Sequence, residues 1–361
     1  MPDFNMTDEQ LNAVALTEYR ALRSTFSSSR LWEVEKSLGN GSFGFTVLLR
    51  DTNPLRGREE RKYVLKRTLF PHLGTREIEN EINGLKVMRG NAHHVQMISS
   101  VLDLKEFREK HGSLPRRLMK RLMRTIKNPP TNVFEVMSIL DGPALLLEYI
   151  PNGSLLQLLN RAIERDLTIP NRILWSFYFC MVRACVGMAY PKEADAGEPT
   201  ELETITRSKA HLDGAEVVPE HILVPKLKMI DFGEAGEIQD APRAIEKNLS
   251  DIAQEMMQLI KRRGLRYTTQ YWEEYNGIAT HAVDILPQNG IDPFPNLDPD
   301  LRNLLVQALR SDVENRPSLR QMLHRTREGA AKPASTYRRR ALDESDYSIQ
   351  LTFQQLLYDA P

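Results

Sequence analysis

Residues 31–50 have the sequence LWEVEKSLGNGSFGFTVLLR, in which two apolar-rich runs flank a segment with three glycines. The runs contain the aliphatic and aromatic residues that are typical of strands. Gly39, Gly41 and Gly44 lie between them, and glycine lets the backbone approach a ligand without interference from a side chain. Backbone N–H groups presented in this way can bind phosphate oxygens. The stretch therefore predicts a hairpin with a phosphate site at its turn, although an ordinary glycine-rich hairpin would show the same pattern.

The spacing G-x-G-x-x-G also occurs in dinucleotide-binding folds, where a helix begins at the third glycine. Here Phe45–Leu49 continue as a strand, which excludes that fold. A third strand is predicted for Lys62–Thr68. Lys66 lies in this strand, 22 residues after Gly44, and its ammonium could reach a nucleotide phosphate. A lysine exposed on a surface strand is the alternative.

A helix is predicted for Thr75–Arg89, because apolar residues such as Ile78 and Ile82 recur there at helical spacing. Glu81 belongs to the same helix. Its carboxylate would hold the mobile ammonium of Lys66 in one orientation if the helix faces the third strand. Lys66 and Glu81 are therefore a predicted pair of site residues.

The composition limits the class of protein. With 361 residues, of which 41% are apolar, the chain can build a large core, which excludes disorder throughout. The 48 Lys plus Arg balance the 48 Asp plus Glu, so no chain-wide field attracts nucleic acid, and no nucleic-acid binding is predicted. Only two cysteines and an N-terminus without a secretory signal predict an intracellular protein, cytoplasmic or nuclear.

One apolar stretch, Ile173–Tyr190, is about as long as a short membrane span. Arg183 lies near its middle, and a lone arginine there would be costly in lipid. We therefore predict that the stretch is a buried core helix and that the sequence given contains no transmembrane segment.

The chain changes character near Pro151, because strand-like patterns dominate before it and helical patterns after it. Further strands are predicted near 95–102 and 144–150, and later helices near 155–165, 170–190, 248–261 and 298–310. The predicted division is an N-terminal helical extension (1–29), a strand-rich part (30–150), a helical part (151–328) and a flexible C-terminal tail (329–361) in which 351–357 could dock.

A basic insert is predicted at 103–135, between two strands. Its segment Lys105–Lys127 holds nine Lys or Arg against two Glu. An acidic partner or anionic lipid could dock on such a segment, although a solvated helix face is the alternative.

Several motifs, taken in order, resemble those of the eukaryotic protein kinase family. They are Gly39–Gly44, Lys66, Glu81 in NEINGLK, LLLEYIPNGSL at 145–155, and Asp231-Phe232-Gly233 in LKMIDFGEA. Residues 301–323 are similar to the closing helices of the kinase large lobe, so the resemblance covers about residues 30–328. Phrases such as MRGNAHH look closest to kinase-like proteins of filamentous fungi. The resemblance implies an α+β, bilobal protein-kinase-like fold with a small β-rich N-lobe and a larger α-helical C-lobe.

The resemblance also implies roles for individual residues. ATP would bind between the lobes, with Leu38 covering the adenine ring and with Glu148 and Ile150 offering backbone groups to it. Asp231 would ligate Mg²⁺ that bridges the phosphates. Asp213 would orient the hydroxyl of a protein Ser or Thr that accepts the phosphate.

The catalytic loop departs from the family pattern. Kinases carry an Asn five residues after the catalytic Asp, whereas Val218 stands five residues after Asp213 and no Asn occurs at 214–228. In a second register Glu216 replaces the Asp and His221 replaces the Asn. His221 would then be a candidate metal ligand, although a lone histidine is more often structural.

The segment after Asp231 is also unusual. Glu234–Leu249 contains no Ser, Thr or Tyr, so phosphorylation cannot activate the protein there. Arg316 is predicted to lack its family partner, and Asp251 matches the helix Asp that supports the catalytic loop. Together these features predict an ATP-binding protein whose phosphate transfer is weakened or lost. A fully active Ser/Thr protein kinase and a non-catalytic scaffold are the alternatives.

Overall fold

The computed structural model describes residues 7–27, 29, 31–41, 44–52, 61–69, 76–100, 140, 143–191, 223–230, 240–262 and 271–358. Within these ranges the protein is a mixed α+β structure with one five-stranded antiparallel sheet and several helices. Among the described residues, the sheet and two helices precede residue 150, and the other helices follow it.

The five-stranded sheet lies where the sequence predicts strands. Along the sheet its order is β1-β2-β3-β5-β4, and every neighbouring pair is antiparallel. β5 is buried along its whole length, so both of its faces are covered. The strands are β1 (Trp32–Gly41), β2 (Gly44–Asp51), β3 (Arg61–Thr68), β4 (Met97–Ser100) and β5 (Ala144–Glu148).

Two helices cover opposite faces of the sheet. Helix α1 (Asp8–Ser27) buries Leu22 and Phe26 against Trp32 of β1 and its neighbours. Helix α2 (Arg76–Val87) packs with Leu145 and Leu147 of β5. Because side chains alternate between the faces of a strand, these two residues lie on the face opposite to Leu146, which packs with α1.

The helices that follow β5 surround a larger core. Between the helix that ends at Lys261 and the helix that begins at Pro299 lies a short hairpin of β6 (Glu273–Tyr275) and β7 (Ile278–Thr280). Single turns of 3₁₀ helix occur at Val283–Ile285 and Val313–Asn315. The helices are α3 (Leu155–Glu164), α4 (Asn171–Ala189), α5 (Ala241–Lys261), α6 (Pro299–Ala308), α7 (Leu319–Ala330) and α8 (Asp346–Phe353).

Helix α4 forms the centre of the larger core. In the part of the chain that the structure describes, it is the single helix long and apolar enough to cross a membrane, and 67% of the apolar window is buried inside the protein. The prediction of a buried core helix is therefore confirmed. Cys180 and Cys185 are also buried on α4. Burial, assisted by the carboxylate of Asp251, raises the pKa of the Cys185 thiol to about 12, so this thiol stays protonated at neutral pH.

Helix α5 begins seven residues earlier than its predicted start at 248. The carboxylate of Asp240 accepts a hydrogen bond from the N–H of Arg243 and so caps the helix. Pro242 lies in the first turn, where its missing N–H costs nothing. The apolar periodicity used for the prediction did not extend into this polar first part.

The prediction of a flexible tail from residue 329 was wrong for residues 329–358. Ile349 and Phe353 of α8 are buried in the larger core, as is Leu356 of the π-helical turn Gln354–Tyr358 that follows. The Phe353 ring lies 6.3 Å from the ring of Phe177 on α4. The expected docking near 351–357 is therefore present, and it forms part of the core.

Candidate functional site

The glycine hairpin joins β1 to β2, and Gly41 pairs with Gly44 at its last described position. Gly39 has a φ of +142°, a conformation that residues with a side chain rarely adopt. At Gly44 an added Cβ would lie 2.3 Å from the carbonyl oxygen of Arg67 in β3. Glycine is thus required at both positions for backbone reasons. Leu38, expected to cover a base, is partly exposed beside them.

Lys66 and Glu81 meet on the α2 side of the sheet. The Nζ atom of Lys66 lies 2.7 Å from Oε2 of Glu81, and the side chains are only 17% and 2% exposed. Thr46 lies directly opposite Lys66 on β2, and Leu145 lies opposite it on β5. Directly opposed residues share a face of the sheet, so the ion pair lies on the same face as Thr46. It lies on β3, the strand next to β2 of the glycine hairpin.

Glu148 ends β5 and is held from two directions. Its N–H donates to the carbonyl of Gln96 at 3.0 Å. Its carboxylate accepts from the N–H of Gln96 at 2.7 Å and from Nζ of Lys228 at 2.6 Å. The N–H and the carboxylate of Glu148 are therefore both used inside the protein. Ile150, the other expected contact, packs half-buried near α2.

Lys228 belongs to the segment 223–230, which runs beside residues 93–95, just before β4. The N–H of Met229 donates to the carbonyl of His93 at 2.8 Å, and the N–H of Val95 donates to the carbonyl of Met229 at 2.9 Å. No sequence pattern indicates the pairing of Lys228 with Glu148, since 80 residues separate them. Four predicted features lie outside the described residues: Asp213, His221, Asp231 and the basic insert at 103–135.

Arg316, which was predicted to lack its family partner, pairs with a different carboxylate. Its Nη1 pairs with the carboxylate of Glu246 on α5, and its Nε donates to the carbonyl of Arg310 at 2.8 Å. The early start of α5 supplies this carboxylate in the absence of the family Glu. Asp251 on the same helix is about half exposed and pairs with Lys247 at 2.8 Å.

We expect the free energy of unfolding to fall by about 3 kcal/mol between pH 6.5 and pH 4 through His94. The His94 side chain is fully buried. Burial, and then the charge of Lys228, lower its pKa to about 4. The unfolded chain therefore binds a proton on this imidazole at a pH where the folded protein does not, and stability is lost as the pH falls. Urea unfolding at pH 7, 5.5 and 4.5 measures this change.

The matched control compares two histidines. His94→Gln should flatten the pH dependence, and His324→Gln, at a mostly exposed position, is the control for replacing a histidine by glutamine. Equal slopes for wild type and His94→Gln would contradict the assignment.

Comparison of the chain with models of known protein families finds no matching model, and comparison with curated proteins finds no match. The functional argument therefore depends on the residues and contacts described above.

Proposed function

We propose that this protein is protein-kinase-like and binds ATP between a small, sheet-containing lobe and a larger helical lobe, with phosphate transfer weakened or lost. The observation that carries the proposal is the ion pair between Lys66 and Glu81, one strand away from the glycine hairpin. The order β1-β2-β3-β5-β4, with α2 between β3 and β4, agrees with the small lobe that the sequence resemblance implies.

The burial of the ion pair between Lys66 and Glu81 supports a role in ligand binding. Removing two charges from water is costly, and apolar side chains of similar size often stabilise a core better. The Lys66 side chain is only 17% exposed and lies near the glycine hairpin. Its ammonium would there bind an anion such as a nucleotide phosphate. Glu81, at 2% exposure, would hold the ammonium in place before the ligand arrives.

The hairpin fits the same ligand. Gly39 and Gly44 keep side chains away from the β1–β2 backbone, so phosphate oxygens could approach its N–H groups. Mg²⁺ would be held by Asp231, with His221 as a second candidate ligand, and it would neutralise phosphate charge. Among the residues that the structure describes, no group of three potential metal ligands occurs, so the proposed Mg²⁺ site depends on the sequence.

The catalytic loop supports weak or absent transfer to protein Ser or Thr. Asp213 would orient the acceptor hydroxyl, but no Asn for a second metal ion occurs at 214–228. A fully active kinase with an atypical loop would transfer phosphate in a way that Asp213→Ala abolishes. A non-catalytic scaffold would bind partners without needing ATP.

Saturating Mg-ATP is expected to raise the thermal stability of the wild type. Ligand at 100 times its dissociation constant adds about 2.7 kcal/mol to the folded state. Lys66→Met and Asp231→Ala should lose this shift, since each removes a proposed phosphate or Mg²⁺ contact. Comparing each variant with and without ligand separates binding from any change in its own stability.

Lys62→Met is the matched control. Lys62 lies on the same face of β3, pairs with Glu35 at 3.0 Å and is about one-third exposed. It should keep the full Mg-ATP shift. Absence of a shift in the wild type would overturn the proposed function, and loss of the shift in both lysine variants would show that Lys66 has no special role.

A further inference from the structure

Trp272 is an exposed aromatic residue directly before β6. It is 60% exposed, whereas Trp32 and Trp175, the other two tryptophans of the chain, are 1% and 2% exposed. An indole left in water forgoes the free energy of burying a large apolar side chain. Tryptophan is also enriched among the residues that carry most of the binding energy of protein interfaces. The position of Trp272 therefore draws attention to the surface of the β6–β7 hairpin.

The β6–β7 hairpin has an inner and an outer face. Tyr275 and Ile278 pack against the larger core, and Thr280 is fully buried. Side chains alternate between the two faces of a strand. Glu274 and Ala279, which are directly opposed across the hairpin, therefore lie on the outer face.

Trp272 extends this outer face. It precedes Glu274 by two residues, and the register of the hairpin, continued by one residue, brings it opposite His281. The imidazole of His281 holds the two segments together there, since its Nδ1 donates to the carbonyl of Tyr271 at 3.0 Å. Two residues of a strand span about 7 Å. The outer face therefore presents an indole and a carboxylate within reach of one long side chain.

The charge of this region is negative. Residues 271–301 contain six Asp or Glu and no Lys or Arg. Glu273 and Glu274 are both exposed. Each of the four aspartates pairs with a cation from outside 271–301: Asp284 with Lys261, Asp292 with Arg302, and both Asp298 and Asp300 with Lys332. The carboxylates of the hairpin thus attract a cation at the place where the indole is exposed.

We propose that the outer face of the hairpin, formed by Trp272, Glu274 and Ala279, docks an arginine-rich segment of a partner protein. A guanidinium stacks on the face of an indole and forms paired hydrogen bonds with a carboxylate. One arginine can therefore contact both groups. Ala279 carries only a methyl group on this face, which leaves room for the aliphatic part of the arginine. The inference goes beyond the proposed function and does not depend on ATP binding.

Acrylamide quenching of tryptophan fluorescence in the full chain reports on this face. Trp32 and Trp175 are buried, so acrylamide quenches chiefly the emission of Trp272. A peptide of alternating arginine and alanine should protect Trp272 from acrylamide. The same peptide with citrulline in place of arginine has nearly the same shape but no charge, and it should give no protection.

Fluorescence anisotropy of the labelled arginine peptide gives the dissociation constant for each variant. Trp272→Ala should weaken binding about tenfold and Glu274→Gln about threefold. Glu273→Gln is the matched control, because it removes the same charge from the neighbouring residue, whose side chain points to the other side of the strand. It should change the dissociation constant less than about twofold.

Three results would overturn the inference. One is equal protection of Trp272 by the arginine and citrulline peptides, or protection by neither. Another is equal weakening by Glu273→Gln and Glu274→Gln, which would show a general attraction of charge without a defined face. The third is shielding of Trp272 from acrylamide before any peptide is added. That result would assign the face to the basic segment Lys105–Lys127 of this chain or to a second copy.

Discussion

A chain that ends at Ala331 is expected not to fold. Truncation there removes the buried side chains of Ile349, Phe353 and Leu356 from the larger core. Loss of one large core side chain costs about 2–5 kcal/mol. Three such losses match or exceed the total stability of a typical domain, which is about 5–15 kcal/mol. Circular dichroism and size-exclusion chromatography should show an aggregated protein without a cooperative thermal transition.

Removal of residues 359–361 alone is the control, since these residues follow the packed turn. That variant should unfold at the wild-type temperature. A chain ending at Ala331 with the same transition as the wild type would contradict the assignment of the tail to the core.

Glu344→Ala is expected to lower the free energy of unfolding by about 4 kcal/mol. Helix α4 begins after Pro170, which provides no side-chain cap. The buried Glu344 carboxylate takes this role, accepting bonds from the N–H of Asn171 at 2.8 Å, the N–H of Arg172 at 3.0 Å and the side-chain amide of Asn171 at 2.8 Å. Alanine would leave the backbone N–H groups of Asn171 and Arg172 without this acceptor, each costing about 1–3 kcal/mol, whereas the Asn171 amide keeps its bond to the carbonyl of Asn296. The carboxylate charge also favours the N-terminal end of the α4 dipole.

Urea unfolding measures this change, and Asp343→Ala is the matched control. Asp343 is exposed and pairs only three residues away, with Arg340 at 2.8 Å. Its removal should cost less than about 1 kcal/mol. Glu344→Gln keeps one acceptor oxygen and should fall between the two. Equal stabilities of Glu344→Ala and Asp343→Ala would show that the cap contributes nothing.

The sequence predicted the elements whose signals are local. Apolar-rich runs on both sides of Gly39–Gly44 predicted two strands, and the spacing of Ile78 and Ile82 predicted α2, because each signal lies within its own element. Lys66 and Glu81 could be paired in advance because the family order of motifs indicated which helix faces which strand.

The missed features depend on residues distant in sequence. The tail sequence GAAKPASTYRRR has the composition of a flexible segment, and its docking depends on Glu344 reaching Asn171, 173 positions earlier. Glu246 was missed as the partner of Arg316 because 70 residues separate them. A polar residue carries no sign of its tertiary partner, so such pairs follow only from the folded chain.

The cap on α4 has a consequence for folding during synthesis. The helix at the centre of the larger core is complete in sequence at residue 189, but the carboxylate that satisfies its first N–H groups arrives with residue 344. Contacts of such long sequence separation form late, because their loop closure has a high entropic cost. While the ribosome adds the intervening residues, the apolar surface of α4 is exposed and the N–H groups of its first turn lack the Glu344 carboxylate. The nascent helical part is therefore incompletely folded until residue 344 is added. At that stage its exposed apolar surface favours chaperone binding.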